Sequence, residues 1–472
     1  MSSEFSFVGP RPSGSDANEI YAVNFIFRRV NQIQRDYANT SEITIDHQTV
    51  SGVHLTSAYY RNAQNIVVKL QGLRNEAVMV NCHFDSEPGS SGAGDNAVNC
   101  CTMLEILRVI AKSDHRNKYS IVFLFNGREE GNREGLQASH GFITQHKWAN
   151  DVKAYINLDS LGLGGRELLF RSGPRHDWLI KKYRQSVPNP FGQVFAEEMF
   201  DLNLLTSRTD FESFRDAGKI PGLDIAYCNQ GWVYHTKYDH IMYMSIDTIQ
   251  NTGNNMLELI KVFADSDELL EPPEGTAAVY FDLWGFFFVS YSAKAGLIAN
   301  IIVSIGAVVV PFVIQVYKAK NKKSVAIITL VSFGTFIVGA ILSLAACLTM
   351  GWIINFADRS MFWFNSTILS LGVYSALSVG VQIGVNHVAC SITKCCSKSS
   401  VRKEDKFETR IIVQAELNGI NLFWSLLTIT ASSVGFRLGY MTMIMLVISL
   451  ITTALVWVLE FGLSKARKQD PI

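Results

Sequence analysis

Five residues in the first half of the chain have the types and settings of metal ligands: His83, Asp95, Glu130, Asp159 and His235. They stand in His83-Phe84-Asp85, Gly94-Asp95-Asn96, Glu129-Glu130-Gly131, Asn157-Leu158-Asp159 and Tyr234-His235-Thr236. Imidazole nitrogen and carboxylate oxygen are the atoms that bind zinc in hydrolytic sites, where one coordination position is kept for water. The set supplies donors for two zinc ions. The Glu129-Glu130 pair also leaves one carboxylate to take a proton from water. Metal-assisted hydrolysis is the chemistry this combination suits.

Each signal has a plainer reading alone. Asp85, two residues after His83, can accept the second imidazole N–H and fix the ring, but a His-x-Asp triplet is common. Asp95 lies in a glycine-rich turn that opens a helix, where an acid is ordinarily an N-cap; the flanking glycines also allow the close backbone approach a bridging carboxylate needs. Paired acids such as Glu129-Glu130 are usually solvated surface charge. Asp159 ends an apolar run, where a charge is costly unless paired or coordinated. His235 by itself would be structural. Five such signals in order, each at a strand end or in a loop, point to metal.

The elements that must position them alternate. Residues 17–37 carry apolar positions at helical spacing. Runs 66–70, 77–80, 120–125 and 154–158 are short, mostly rich in Val, Ile and Phe, and read as strands, with helices at 96–111 and 135–146. This predicts an α/β domain with a largely parallel sheet, whose sites form at the carboxyl ends of strands. His83, Glu130 and Asp159 each follow one of these runs. Asp210, Phe211 and Trp232 are candidates either for lining the substrate pocket or for structural packing.

The chain has 472 residues, 48% of them apolar, with 42 basic and 42 acidic side chains. Its balanced charge offers no footprint for nucleic acid. A catalytic domain is expected at 1–265, an acidic, Pro-containing linker at 266–293, and a membrane domain of about five helices at 294–472. Expected crossings are 296–316, 325–349, 366–390, 417–434 and 440–462, each near the ~20 residues a bilayer requires. Asn418 and Asn421 interrupt the fourth, and polar groups inside spans are read as helix-to-helix hydrogen bonds. Lys and Arg cluster at Lys318–Lys323, at Lys394–Arg410 and after 462, while the intervening loops hold Arg359 and Arg437. This alternation puts the basic segments in the cytosol and the first domain on the lumenal side. Sequons at Asn39 and Asn365 fall on that side and make the chain a candidate glycoprotein. The first ten residues lack the features of a signal peptide, so an upstream anchor is expected. Of the eight cysteines, Cys82, Cys100, Cys101 and Cys228 lie in the first domain without CxxC spacing, which argues against a cysteine zinc site. Adjacent Cys100 and Cys101 read as small hydrophobes on a helix, a disulfide being the alternative in an oxidising compartment.

His83-x-Asp85, Gly94-Asp95, Glu129-Glu130, Asn157-Leu158-Asp159 and Tyr234-His235-Thr236 resemble the signature of metallopeptidase family 28, the co-catalytic di-zinc aminopeptidases, over roughly residues 15–265. The stretches 120–127, 136–142 and 234–239, with the multispan second half, are similar to the endoplasmic reticulum branch of that family. The resemblance implies a three-layer α/β/α sandwich with a mixed, largely parallel sheet, and an all-α multispan membrane domain. It implies a membrane-anchored exopeptidase in the endoplasmic reticulum membrane, lumenal in orientation, acting on peptide or protein N-termini. His83 and Asp159 would hold the first zinc, Glu130 and His235 the second, and Asp95 would bridge them. Glu129 would be general base and then acid. Tyr234 would donate to the oxyanion or serve as a packed aromatic, and Asp85 and Asp239 would support the ligands from behind. The alternatives are a catalytically inactive scaffold or receptor of the secretory pathway on the same fold, a single-zinc glutaminyl cyclase or carboxypeptidase relative, and a transporter formed by the membrane half. Nothing in the sequence fixes substrate identity or oligomeric state.

Overall fold

A computed structural model describes residues 9–54, 58–131, 135–174, 177–273, 275–319, 322–360, 362–396 and 406–469. The chain divides into two compact units, Met1–Ser292 and Ala293–Ile472.

The first unit is built on a seven-stranded sheet. Its strands are β1 (Ile43–His54), β2 (Ala58–Leu70), β3 (Arg74–His83), β4 (Tyr119–Asn126), β5 (Val152–Ser160), β6 (Leu168–Gly173) and β7 (Gly222–Tyr227), in the spatial order β1-β2-β4-β3-β5-β7-β6. The four central strands β4, β3, β5 and β7 run parallel, and the two edges are antiparallel. Every residue of β4 is buried, because helices cover both faces, and its sequence is accordingly a nearly unbroken apolar run. Helices α1 (Val23–Asp36), α2 (Val98–Lys112) and α6 (Ile246–Ala264) lie on one face, and α3 (Gln137–Gln145) on the other. Alternate residues of the strands serve the two layers: Met79, Val122, Leu124 and Tyr155 pack with Phe142 of α3, Phe211 and Phe214 in one cluster. The helix α1 buries Val23, Ile26, Val30 and Ile33, a stripe at helical period. Further on come α4 (Asp177–Ser186), α5 (Val194–Asp201) and a hairpin of β8 (Ala278–Leu283) and β9 (Phe287–Ser292).

The connection from β3 through α2 leads to β4 on one side of β3, and the next connection, through α3, returns to β5 on the other. Loops leaving β3 and β4, which are neighbours in the sheet, therefore diverge toward opposite faces. Such a switch point opens a crevice beyond the strand ends.

The second unit contains helices α7 (Ala293–Lys318), α8 (Lys322–Phe356), α9 (Thr367–Cys396), α10 (Lys406–Ser433) and α11 (Gly439–Gln469). Among the described residues four helices are long and apolar enough to cross a membrane, lying in α7, α8, α9 and α11. The fourth expected crossing falls in α10, where Glu416, Asn418 and Asn421 dilute the apolar content. The asparagines are buried in helix-to-helix hydrogen bonds: Asn418 Nδ2 donates to Gln315 Oε1 at 2.6 Å and Asn421 Nδ2 to the Ala307 carbonyl at 3.2 Å. This is the packing role polar groups ordinarily take between apolar helices.

One expectation is corrected. Cys100 is joined to Cys82 in a disulfide with Cα atoms 5.6 Å apart, tying β3 to α2, while Cys101 is buried. Position 100 looks like an apolar helix residue because it is one; the contact with β3 behind it depends on tertiary packing. Of the sequons, Asn39 is exposed in the turn after α1, and the Asn365 side chain lies outside the described residues.

Candidate active site

The five predicted ligand residues converge at the carboxyl ends of the parallel strands. His83 is the last residue of β3, where it pairs with Asn126 at the end of β4, and Asp159 lies near the end of β5. Glu129 and Glu130 follow β4, and His235 follows β7 after a short loop.

Asp95 is central. Its Oδ1 lies 3.2 Å from His83 Nε2 and its Oδ2 lies 3.2 Å from His235 Nε2, one oxygen for each imidazole. On one side Asp159 Oδ1 is 3.6 Å from His83 Nε2; on the other Glu130 Oε1 is 2.9 Å from His235 Nε2. Asp95 is not an N-cap: its backbone is extended, with φ −109° and ψ 88°, and α2 begins only at Val98. Asp239 holds that backbone, accepting from Gly94 N at 2.6 Å and Asp95 N at 3.1 Å. A Cβ at Gly94 would sit 2.6 Å from Leu163 Cδ1 and 2.8 Å from the Gly162 carbonyl, so only glycine lets this segment approach so closely.

Asp85 does a different job from the one its spacing suggests. His83 Nδ1 lies 3.2 Å from the Asp85 backbone carbonyl and 3.5 Å from its carboxylate. The carboxylate instead accepts from Glu129 N at 3.1 Å, Glu130 N at 2.9 Å and Ser13 Oγ at 3.0 Å. One buried acid therefore positions both glutamates. Tyr234 stacks on His235 with ring centroids 3.7 Å apart and lines the cleft.

Sequence reasoning missed three contributors. Buried Arg11 clamps the loop after β3, donating to the carbonyls of Phe84 at 2.9 Å, Ser91 at 2.8 Å and Gly92 at 2.9 Å; a lone arginine before the first helix gave no signal of this. Glu87 is the second: a carboxylate oxygen lies within 4.8 Å of ligand atoms of both Glu130 and His235. The third is a buried row beneath the ligands, in which Asn81 donates to Asn157 at 2.7 Å and to Asp210 at 2.9 Å, Asn126 to Asn81 at 3.1 Å, and Asn157 to Asp224 at 2.9 Å. Asp210 thus lies below the site and Phe211 in the core. Trp232 packs on Tyr238, with centroids 5.7 Å apart. The cleft itself, about 650 Å³, is lined by Glu87, Glu129, Leu136, Thr206–Thr209 and the ligand residues other than His83.

Electrostatics mark the same cluster. Burial resists charge on His83, yet the nearby carboxylates of Asp159, Asp85 and Asp95 overcome it and raise its pKa well above the ordinary value. His235, held by Asp95 and Glu130 against the same burial cost, is raised to about 10. Burial, with repulsion from Asp95, lifts Glu130 to about 8. Burial also drives Glu129 well up, opposed by His83 and reinforced by Glu130 and Asp159. These shifts are those of carboxylates and imidazoles crowded together in a buried space. His83 Nε2 and Asp95 Oδ1, both buried and facing each other, make no hydrogen bond. Orphaned donor atoms of ligand type aimed at a common point fit a cation. His83, Asp95 and Asp159 form one group that could hold an ion; Glu130 and His235, with Glu87, form another.

The chain is similar to known proteins. Residues 65–260 match the family model for peptidase family M28. The chain is 37% identical over 399 residues to endoplasmic reticulum metallopeptidase 1 of Homo sapiens, covering 81% of this chain and 43% of that protein. It is 32% identical over 306 residues to a vacuolar membrane protease of Candida glabrata, covering 62% of this chain and 31% of that protein. The chain thus spans less than half the length of these curated relatives. Among solved structures, the LapA aminopeptidase of Legionella pneumophila aligns with a TM-score of 0.42 at 16% identity, over 56% of this chain and 70% of that one. The family match and the similarity across most of the sequence establish that this chain carries a domain of peptidase family M28.

Proposed function

We propose that the protein is a membrane-anchored, zinc-dependent aminopeptidase acting on the lumenal side of the endoplasmic reticulum membrane. The observation that carries the reading is Asp95, with one carboxylate oxygen directed to each histidine. His83 and Asp159 would hold one zinc, Glu130 and His235 a second, and Asp95 both. Bound there, zinc would lower the pKa of a water molecule and polarise the scissile carbonyl. The chain's own residues do the rest. Glu129, 8% exposed and anchored through its backbone to Asp85, takes the proton from water and returns it to the leaving amine. Tyr234, fixed by stacking on His235, offers its hydroxyl to the negative charge that develops on the carbonyl oxygen. The Cys82–Cys100 disulfide supports an oxidising compartment, and exposed Asn39 is placed for glycosylation.

Glu87 supports the restriction to N-termini. Glu87 lines the cleft beside Glu130 and His235, where its carboxylate faces the space a substrate would enter. It suits the α-ammonium of a peptide. The test is a panel of free and N-acetylated peptides assayed with the wild type and Glu87→Gln. Free-amine substrates should be cleaved, with KM in Glu87→Gln raised about 10- to 100-fold, the value of about 1.5–3 kcal/mol for a hydrogen bond to a charged group. Equal cleavage of free and acetylated peptides would refute the aminopeptidase reading.

A further inference from the structure

The turn joining β8 and β9 carries three large rings into solvent. Trp284 is 83% exposed, Phe286 80% and Phe287 67%, whereas Tyr280, Phe281 and Phe288 behind them are buried. Soluble surfaces carry apolar residues singly; a contiguous group marks an interaction site. The turn is built to present them. Gly285 has φ +78° and donates to Asp282 Oδ2, Phe286 N donates to the Leu283 carbonyl at 3.1 Å, and Arg166 donates to the Gly285 carbonyl at 3.4 Å.

Position along the chain suggests what covers them. The six residues of β9, Phe287–Ser292, lead directly into Ala293, the first residue of a helix long and apolar enough to cross a membrane. Trp284 is nine residues from Ala293, a reach of about 30 Å at full extension, so the rings are tethered within that distance of the start of that helix. Charge is complementary to lipid headgroups. Arg166 sits on the turn, paired with Asp282 at 3.9 Å, and exposed Arg184 donates to the Ser290 carbonyl of β9. Aromatic rings with basic neighbours are the combination favoured at a membrane–water interface.

We propose that the Trp284–Phe287 turn is a second membrane contact of the catalytic unit, its rings lying at headgroup depth with Arg184 facing lipid phosphates. Such a contact would restrain the unit on the bilayer beyond its covalent attachment, and it stands whether or not the aminopeptidase reading does.

The test uses the full chain in vesicles of phosphatidylcholine and phosphatidylserine bearing nitroxide either near the headgroup or at the acyl terminus. The chain has eight tryptophans, so the signal is the emission lost between wild type and Trp284→Phe. That difference emission should lose most of its intensity to shallow nitroxide, lose less to deep nitroxide, and resist aqueous acrylamide. Phe286→Ser with Phe287→Ser should reduce the shallow quenching. Absence of quenching by either lipid nitroxide overturns the proposal, whether acrylamide reaches the ring, showing a free surface, or does not, showing cover by protein.

Discussion

Replacing Asp85 with Asn separates two accounts of the site. The carboxylate is fully buried and accepts the backbone N–H groups of Glu129 and Glu130, one on each oxygen. Asparagine matches its shape but keeps one acceptor and turns an NH2 toward the other donor. A hydrogen bond to a charged acceptor is worth about 1.5–3 kcal/mol and a neutral one about 0.5–1.5, so the retained bond weakens and the other is lost, together about 2.5–4 kcal/mol. If half of this falls on the geometry of the two glutamates, the zinc site containing Glu130 weakens about 10- to 30-fold. Two-step zinc titration against a competing chelator measures this directly. The weakened step should be the one that His235→Gln also weakens. Were Asp85 chiefly the partner of the His83 ring, the step weakened by His83→Gln would suffer instead. Unchanged zinc affinity in both steps, with a wild-type thermal midpoint, would refute the idea that one carboxylate templates the pair.

Glu129→Gln should keep its zinc and its thermal midpoint while kcat falls about 10²- to 10⁴-fold, the usual contribution of a general base; a variant as active as wild type would remove Glu129 from the chemistry. Reduction of the disulfide, or Cys100→Ala, opens a cross-link between residues 18 apart in sequence and should cost about 3 kcal/mol by loop entropy, read as a lower thermal midpoint in reductant that the variant no longer shows. His54 has its pKa lowered to about 4 by burial, with smaller contributions from His140 and Arg208. Protonation therefore favours the unfolded chain: the stability present above pH 6.5 is lost as pH falls from 6.5 to 4, by about 1–2 kcal/mol after solvent screening. The His54→Phe variant should flatten that part of the stability profile, and an unchanged slope would rule the residue out.

What the sequence revealed and what it hid divide along a physical line. Central strands such as β4 are buried on both faces and announce themselves as apolar runs, and the ligands stand directly after them. Strand β1 escaped notice because it lies at a sheet edge, where Thr44, Asp46, His47 and Gln48 are exposed or half-buried. Its pattern IleThrIleAspHisGln does not separate cleanly from a loop. The disulfide was hidden because Cys100 acquires its partner only through the packing of α2 on β3. The work of Asp85 was hidden for a similar reason. Its true partners follow a different strand, and only the pairing of His83 with Asn126 brings residues 85, 129 and 130 together. Local spacing favoured the nearer imidazole.

That register is itself encoded one step below the proposed metal ligands. On β3, Asn81 precedes His83 by two residues, and on β5, Asn157 precedes Asp159 by two, so each amide shares a strand face with the ligand above it. The amides are joined across the sheet, Asn126 to Asn81 to Asn157 to Asp224, and the row ends on Arg171, whose Nε donates to Asp224 at 2.9 Å. A slip of one residue in any of these strands would turn its amide toward an apolar layer and leave buried hydrogen-bonding groups unmatched. The same slip would turn His83 or Asp159 away from the cleft. Apolar packing alone, with Val, Ile and Phe on both faces, would tolerate it more readily. The asparagine row therefore makes the correct alignment of the strands a condition of burying them, and the convergence of side chains so remote in sequence follows from that alignment.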